Sequence, residues 1–441
     1  MSPTAPPAAL VFENVRLFDP EAGTIAPGRL LLRDGRIAGR DAPGTEGTPE
    51  GGVTVDGGGA ILSPGLVDMR VAIGEPGFEY RETIASCARA AAAGGVTTIG
   101  VLPNSRPAID DPSLVRLLRS RGEETGLVTI LPYGALTKGC DGEEMAELAM
   151  LREAGAIAFT DGTRAIADTK RMRQLLAYAR GIGAIVVQHP EDPSLAKGGC
   201  ATAGPLATTL GLPQIPAAAE AILIARDIRL AEMTGARLHF SHVSTGEGLD
   251  LIRAAKMRGL AITCDTAPPY FALNEEEIRD YRTYAKLSPP LRCEADRLAV
   301  CAALADGTID AIASDHTPWD ADDKRLPFAQ AAAGGTGLVT LLGVTLERVT
   351  AGDITLERAL HLLTAGPARL FGVAAGSLTT GSLAQGQPGD LCLFDPEAEW
   401  TVHARELPGR AQNTPFDRRT LRGRVLGTWK AGQRVFEGAA S

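Results

Sequence analysis

The sequence predicts an α/β chain: a (β/α)8, TIM-like barrel with a small composite β-domain built from both chain ends. Three observations carry this. Residues 61–370 alternate short apolar runs with longer Ala/Leu/Arg-rich stretches, the rhythm of repeated βα units. Both ends show apolar/polar alternation instead, the pattern of half-buried antiparallel strands. And 441 residues suffice for one large barrel plus an accessory domain. The expected boundaries are 1–60 for the N-terminal part of the β-domain, 61–370 for the barrel and 371–441 for the C-terminal part of the β-domain.

In chain order, residues 10–17 read as a first strand, and residues 29–37 carry Asp34-Gly35 between apolar runs, a hairpin signal. The middle offers strands at 97–102, 156–160, 184–189, 237–242, 261–265 and 311–315, with helices such as 216–234 and 246–258 between them. Such βα units over ~250 residues fit a closed barrel better than an open sheet, although spacing alone does not decide it. Residues 390–395 and 423–436 return to short strands at the far end.

A net charge of −9 with no basic run argues against nucleic acid and anionic membranes as partners. No stretch approaches the ~20 apolar residues of a membrane span, and the N-terminus lacks the basic and apolar regions of a signal peptide. The seven cysteines are odd in number and form no C-x-x-C pair, which suits reduced thiols in a cytoplasmic protein.

Three of the candidate strands end in His189, His242 and Asp315, and a fourth is followed at once by Asp161. In a barrel, the carboxyl ends of strands face the active-site mouth. Nitrogen and oxygen ligands from separate strands are what a borderline ion such as zinc takes. One such histidine is as readily a hydrogen-bonded core residue, but four polar residues at equivalent strand ends point to a site. His239, three residues before His242, falls on the opposite strand face and is assigned to packing. His361 and His403 have no motif context and are assigned to surface or core.

The motifs become specific in combination. They are Ser63-Pro64-Gly65-Leu66-Val67-Asp68-Met69, Glu75-Pro76-Gly77, Gly94-Gly95-Val96-Thr97-Thr98, Pro103-Asn104, Gln188-His189-Pro190-Glu191-Asp192, Ser241-His242-Val243-Ser244-Thr245, Ser288-Pro289-Pro290-Leu291-Arg292, Ser314-Asp315-His316-Thr317-Pro318 and Asn413-Thr414-Pro415-Phe416-Asp417. In this order the chain, from about Val53 onward, resembles a dihydroorotase of the amidohydrolase superfamily. The resemblance implies a (β/α)8 barrel with a composite β-domain and reversible closure of carbamoyl aspartate to dihydroorotate, with zinc-bound hydroxide as nucleophile and a strand-end aspartate moving the proton. It makes Asp161 the bridging carboxylate, His189 and His242 ligands of the second metal, Asp315 the catalytic aspartate and Asn104 a contact to the substrate carboxylate.

The departures from that pattern gather at the chemistry. The His-x-His after the first strand reads Arg70 and Ala72, and the arginine that clamps the substrate carboxylate reads Gly74. Pro-His-His reads Pro268-Pro269-Tyr270, an asparagine reads Ser288, a histidine reads Trp319, and Asp-Asp-Gly reads Asp161-Gly162-Thr163. Arg cannot deprotonate to bind a metal, and Ala has no donor atom.

The leading expectation is a non-catalytic family member that assembles, as the family's inactive paralogues do, with aspartate carbamoyltransferase into an oligomer. It would hold no zinc, or one. The alternative is an active cyclic amidohydrolase with a single zinc on Asp161, His189 and His242, and Asp315 as base. A small-molecule-binding barrel is a third possibility. Arg70 is expected either to replace the lost cation beside Asp161, Asp315 or both, or to point to solvent.

Overall fold

Eight short parallel strands form a ring at the centre of the computed structural model, which describes residues 7–41, 51–372 and 380–438. They are β1 (Leu66–Val71), β2 (Val96–Val101), β3 (Thr129–Pro132, continued by Gly134–Ala135), β4 (Phe159–Thr160), β5 (Ile185–Gln188), β6 (Arg237–Phe240), β7 (Ile262–Thr266) and β8 (Ala311–Ile312). Each pairs in parallel with the next in sequence. The last joins the first through a bridge between Val71 and His316, where the Ala72 amide donates to the His316 carbonyl at 2.8 Å. The Asp68 carboxylate on β1 reinforces this seam by accepting the Ser314 amide at 3.0 Å.

The strands read as near-continuous apolar runs because both faces are buried. Alternate residues serve different neighbours. Val67, Met69, Leu131, Tyr133, Ile185 and Val187 share one apolar cluster with Phe371. Leu66, Ile130 and Val186 belong to the larger cluster that includes apolar residues of the surrounding helices, such as Ile224, Ile228 and Ile252. The two anticipated helices appear as Ala218–Thr234 and Gly246–Met257. The second starts where the Thr245 side chain caps the Gly248 amide, satisfying a donor the helix leaves unpaired.

Both chain ends enter one eight-stranded sheet. Ile61–Pro64 is its junction, antiparallel to residues 391–394 and parallel to Arg16 and Leu17. The sheet thus takes in residues through Pro64, and the barrel begins at Leu66. The hairpin between Thr24–Arg33 and Arg36–Asp41 turns at Asp34 (φ 48°) and Gly35 (φ 73°). Two successive positive φ values match the right-handed twist of the strands they join. Phe12 and Trp429, from opposite ends of the chain, meet edge-to-face at 4.8 Å in the core of this sheet.

Among the described residues no helix is long and apolar enough to cross a membrane. All seven cysteines are free thiols, and six of them are buried.

Candidate functional site

Arg70, next to last in β1, is 3% exposed and does not reach solvent. Its Nε donates to Asp315 Oδ1 at 2.7 Å, and Asp315 is itself only 7% exposed. The chain delivers Asp315 to this position by turning into the left-handed region (φ 51°) just beyond β8. Burial pushes the Asp315 carboxyl up, and the Arg70 guanidinium opposes that rise. The Arg70 amide is fixed as well, donating to Asp68 Oδ1 at 3.1 Å, the same oxygen that takes the Ser314 amide.

Asp161 follows β4 and faces a different set of partners. The amides of Leu136 and Thr137 reach its Oδ1 at 3.0 and 2.9 Å, and the Thr137 hydroxyl binds its Oδ2. Both oxygens are therefore engaged by the segment after β3. Burial raises this carboxyl too, against those three donors.

His189 and His242 come together, with His189 Nδ1 2.6 Å from His242 Nε2 and the rings stacked at 4.9 Å. His242 also sits at positive φ (41°) just past its strand, and its amide donates to Asp265 Oδ1. Asp265 in turn bonds His239 Nε2 at 2.9 Å, while His239 Nδ1 meets the Thr263 hydroxyl at 2.9 Å. His239 is thus buried but polar in its contacts, part of the support beneath His242. Burial, with Arg70, His189 and His239 nearby, drives the His242 imidazole well below its usual range, so it is neutral at pH 7.

These residues do not form the donor set of a zinc centre. Two imidazole nitrogens on one tetrahedral zinc stand roughly 3.3 Å apart, given zinc–nitrogen bonds of ~2.05 Å. The 2.6 Å between His189 and His242 is a hydrogen bond. Asp161 directs both oxygens to its own scaffold, and Arg70 brings a fixed positive charge to the strand end where a ligand pair would stand. Among the described residues no group of three or more His, Cys, Asp or Glu is placed to hold a metal ion.

Asn104 lines a cavity of 320 Å³ at the barrel mouth together with Ala72 and Gly74. Its amide is committed locally: Nδ2 donates to the Asp161 carbonyl at 3.0 Å, and Oδ1 accepts from the Thr163 amide at 3.2 Å. Gly162 between them lies at φ 67°, where a Cβ would stand 1.5 Å from Asn104 Oδ1. Position 74 is closed to any side chain, because a Cβ there would meet the Phe78 carbonyl oxygen at 2.1 Å and that of Glu82 at 2.7 Å. Tyr270 is buried and its hydroxyl donates to the Pro289 carbonyl at 2.9 Å. Trp319 stacks on Arg81, whose guanidinium carbon lies 3.8 Å from the ring centre.

Several contributors are absent from the sequence-derived set. Asp265 closes the expected strand 261–265 and stands next to last in β7, close to the strand-end positions of His189 and His242. Thr137, Arg81 and Arg164 carry no such mark, since loops bring them to the site.

The model of the family described as "Dihydro-orotase-like" matches residues 59–248. The dihydroorotase of Citrifermentans bemidjiense is 40% identical over 430 residues, 97% of this chain and 99% of that protein. The dihydroorotase of Pelobacter propionicus is 41% identical over 427 residues, with the same coverage. Among solved structures, the L-hydantoinase (dihydropyrimidinase) of Arthrobacter aurescens superposes with a TM-score of 0.85 at 24% identity, covering 97% of this chain and 96% of its own. The dihydropyrimidinase of Brevibacillus agri NCHU1002 gives 0.81 at 20% identity, covering 97% and 95%. These structures share the fold of a barrel with a β-domain. With relatives this similar along almost its whole length, the chain belongs to the dihydroorotase family of amidohydrolases.

Proposed function

We propose that this chain is a non-catalytic member of pyrimidine biosynthesis, a barrel that supports aspartate carbamoyltransferase instead of closing the dihydroorotate ring. The observation that supports this reading is the buried 2.7 Å contact between Arg70 and Asp315. The candidate proton-moving carboxylate is engaged by a guanidinium that cannot lose its proton. Ala72 offers no ligand atom, and position 74 has no room for a carboxylate clamp.

The test is dihydroorotate hydrolysis by purified protein supplied with zinc, against a metal-free control. The expected result is no zinc-dependent turnover, and turnover well above background overturns the reading. The partner half of the proposal rests on family resemblance. Mixed with the aspartate carbamoyltransferase of its own organism, the protein is expected to elute as one larger assembly, and separate elution counts against that half. A cytoplasmic site of action goes with this role, in keeping with seven free thiols.

A second reading is a one-metal cyclic amidohydrolase with Asp161, His189 and His242 around a single zinc and Asp315 as base. What favours it is 40% identity to a protein named dihydroorotase; the 2.6 Å between the two imidazoles would have to open for a zinc to enter. Zinc-dependent turnover in the same assay would carry this reading instead.

A further inference from the structure

We propose that Lys324 is a pH-operated latch on the 320–334 excursion beside the barrel mouth, holding it closed while the amine is neutral and releasing it on taking up a proton. The excursion leaves the chain after Trp319, which lines the mouth cavity, and returns at Gly335, which bridges to His316. Its base is pinned, with the Thr317 amide donating to the Gly335 carbonyl at 2.8 Å. Trp319 Nε1 donates to the Ala333 carbonyl at 2.8 Å, so movement of the excursion reaches the cavity wall.

Lys324 lies in the short helix Ala321–Arg325 and is only 2% exposed. Its Nζ donates to the carbonyls of Ala332 at 2.8 Å and Gly334 at 3.0 Å, and stands 3.5 Å from that of Lys286. Two short contacts match the two N–H bonds that a neutral amine keeps, and the third is at the limit of a hydrogen bond. Among the described residues Lys324 makes no ion pair; its partners are these carbonyls. An ammonium in this place would give up its water without gaining a counter-ion. Burial, helped by the like charge of Lys286, pushes the Lys324 amine down to about 7.

Lys286 is the charged neighbour from the facing segment 282–286. Its own Nζ donates to the Ala329 carbonyl at 3.0 Å, a second tie on the excursion, and burial lowers this amine as well. Cys200 beside it is held protonated by burial. Arg282 turns to Glu277 at 2.6 Å. On the excursion itself, Asp320 caps the Asp323 amide at 2.8 Å, Asp322 pairs with Arg325 at 3.6 Å and Asp323 reaches Arg81 at 4.0 Å. Residues 326–334 carry no titratable side chain. Closed, Lys324 loses its proton at about 7; released into water, it keeps the proton up to its ordinary 10.5. Proton uptake therefore favours release, and the closed state gains stability as pH rises above about 7. The device asks nothing of Asp315 or of a metal.

The experiment is amide hydrogen exchange of the full-length protein at pH 6 and pH 8.5, each rate divided by the intrinsic rate at that pH. The reporters are the Ala332 and Gly334 amides, bonded to the carbonyls of Asp323 and Lys286 at 3.1 and 2.9 Å. Their protection is expected to rise about tenfold from pH 6 to pH 8.5, while the helix Gly246–Met257 stays unchanged. Lys324→Met should abolish the rise, whatever protection remains. Lys286→Met removes the like charge and should keep the rise, with its midpoint at higher pH; this variant decides the matter even where Lys324→Met fails to fold. Equal protection at both pH values in the parent protein, the same rise in Lys324→Met, loss of the rise in Lys286→Met, or an equal rise in Gly246–Met257 would each overturn the proposal.

Discussion

Arg70 and Asp315 face each other across the seam between β1 and β8, Nε to Oδ1 at 2.7 Å, with both side chains almost wholly removed from water. The two are 245 residues apart in the chain. Breaking such a pair by removing one partner leaves an uncompensated buried charge, at a cost of about 3–5 kcal/mol. Arg70→Met is therefore expected to lose stability of that order in denaturant unfolding. Arg70→Met with Asp315→Leu should cost less than the sum of the single variants. Strict additivity would show that the two groups are not coupled.

Restoring the missing ligand pair is not expected to restore chemistry. In Arg70→His with Ala72→His, position 74 remains closed and Trp319 remains stacked over Arg81. Dihydroorotate hydrolysis by this double variant with zinc should stay near background. Substantial turnover would mean that loss of the metal was the whole defect.

Gly74→Arg, the substitution that would rebuild a carboxylate clamp at its family position, should not be tolerated. Its first side-chain atom would meet the Phe78 carbonyl oxygen at 2.1 Å, and backbone cannot yield as a flexible side chain does. Overpacking of this kind costs about 1–3 kcal/mol, and more where backbone must move. Thermal unfolding should show a clear loss of stability. A melting point equal to that of the parent protein would mean that the 74–82 turn opens freely.

Asp68 gives the seam a pH dependence. Burial pushes its carboxyl up to about 6, against the Ser314 and Arg70 amides that favour the ionised form. Between its ordinary value of 3.8 and about 6, the native state holds this proton more firmly than the unfolded chain. Stability from this group is therefore greatest below that window, falls as pH rises through it and is flat above. A shift of this size corresponds to at most about 3 kcal/mol. Asp68→Asn removes the titration, so the stability of wild type relative to the variant should drop between about pH 4 and about pH 6. A difference that is constant across that range would show that Asp68 does not titrate there.

The barrel, the end-to-end sheet and the strand-end positions of His189, His242 and Asp315 were legible in the chain, because each rests on local patterning. Alternation marks the half-buried strands, continuous apolar runs mark strands buried on both faces, and Asp34-Gly35 marks a turn that only certain residues make easily. A strand's carboxyl end is defined by the chain itself, so candidate residues at the mouth could be named without knowing the fold in detail. Asp265 carried the same strand-end signal, and its place beneath His242 emerged from the hydrogen bonds it accepts.

By itself the sequence determined the fold class, the hairpin and the strand-end positions of His189, His242 and Asp315. Tertiary structure alone decided how those residues are spent. Arg70 meets Asp315, while Asp161 turns to Leu136 and Thr137. Asn104 clamps the 161–163 turn, and the backbone of Phe78 and Glu82 closes position 74. The physical reason is range: strand periodicity is written in neighbouring residues, but a side chain's rotamer and hydrogen-bond partner are set by atoms from segments far away in the chain.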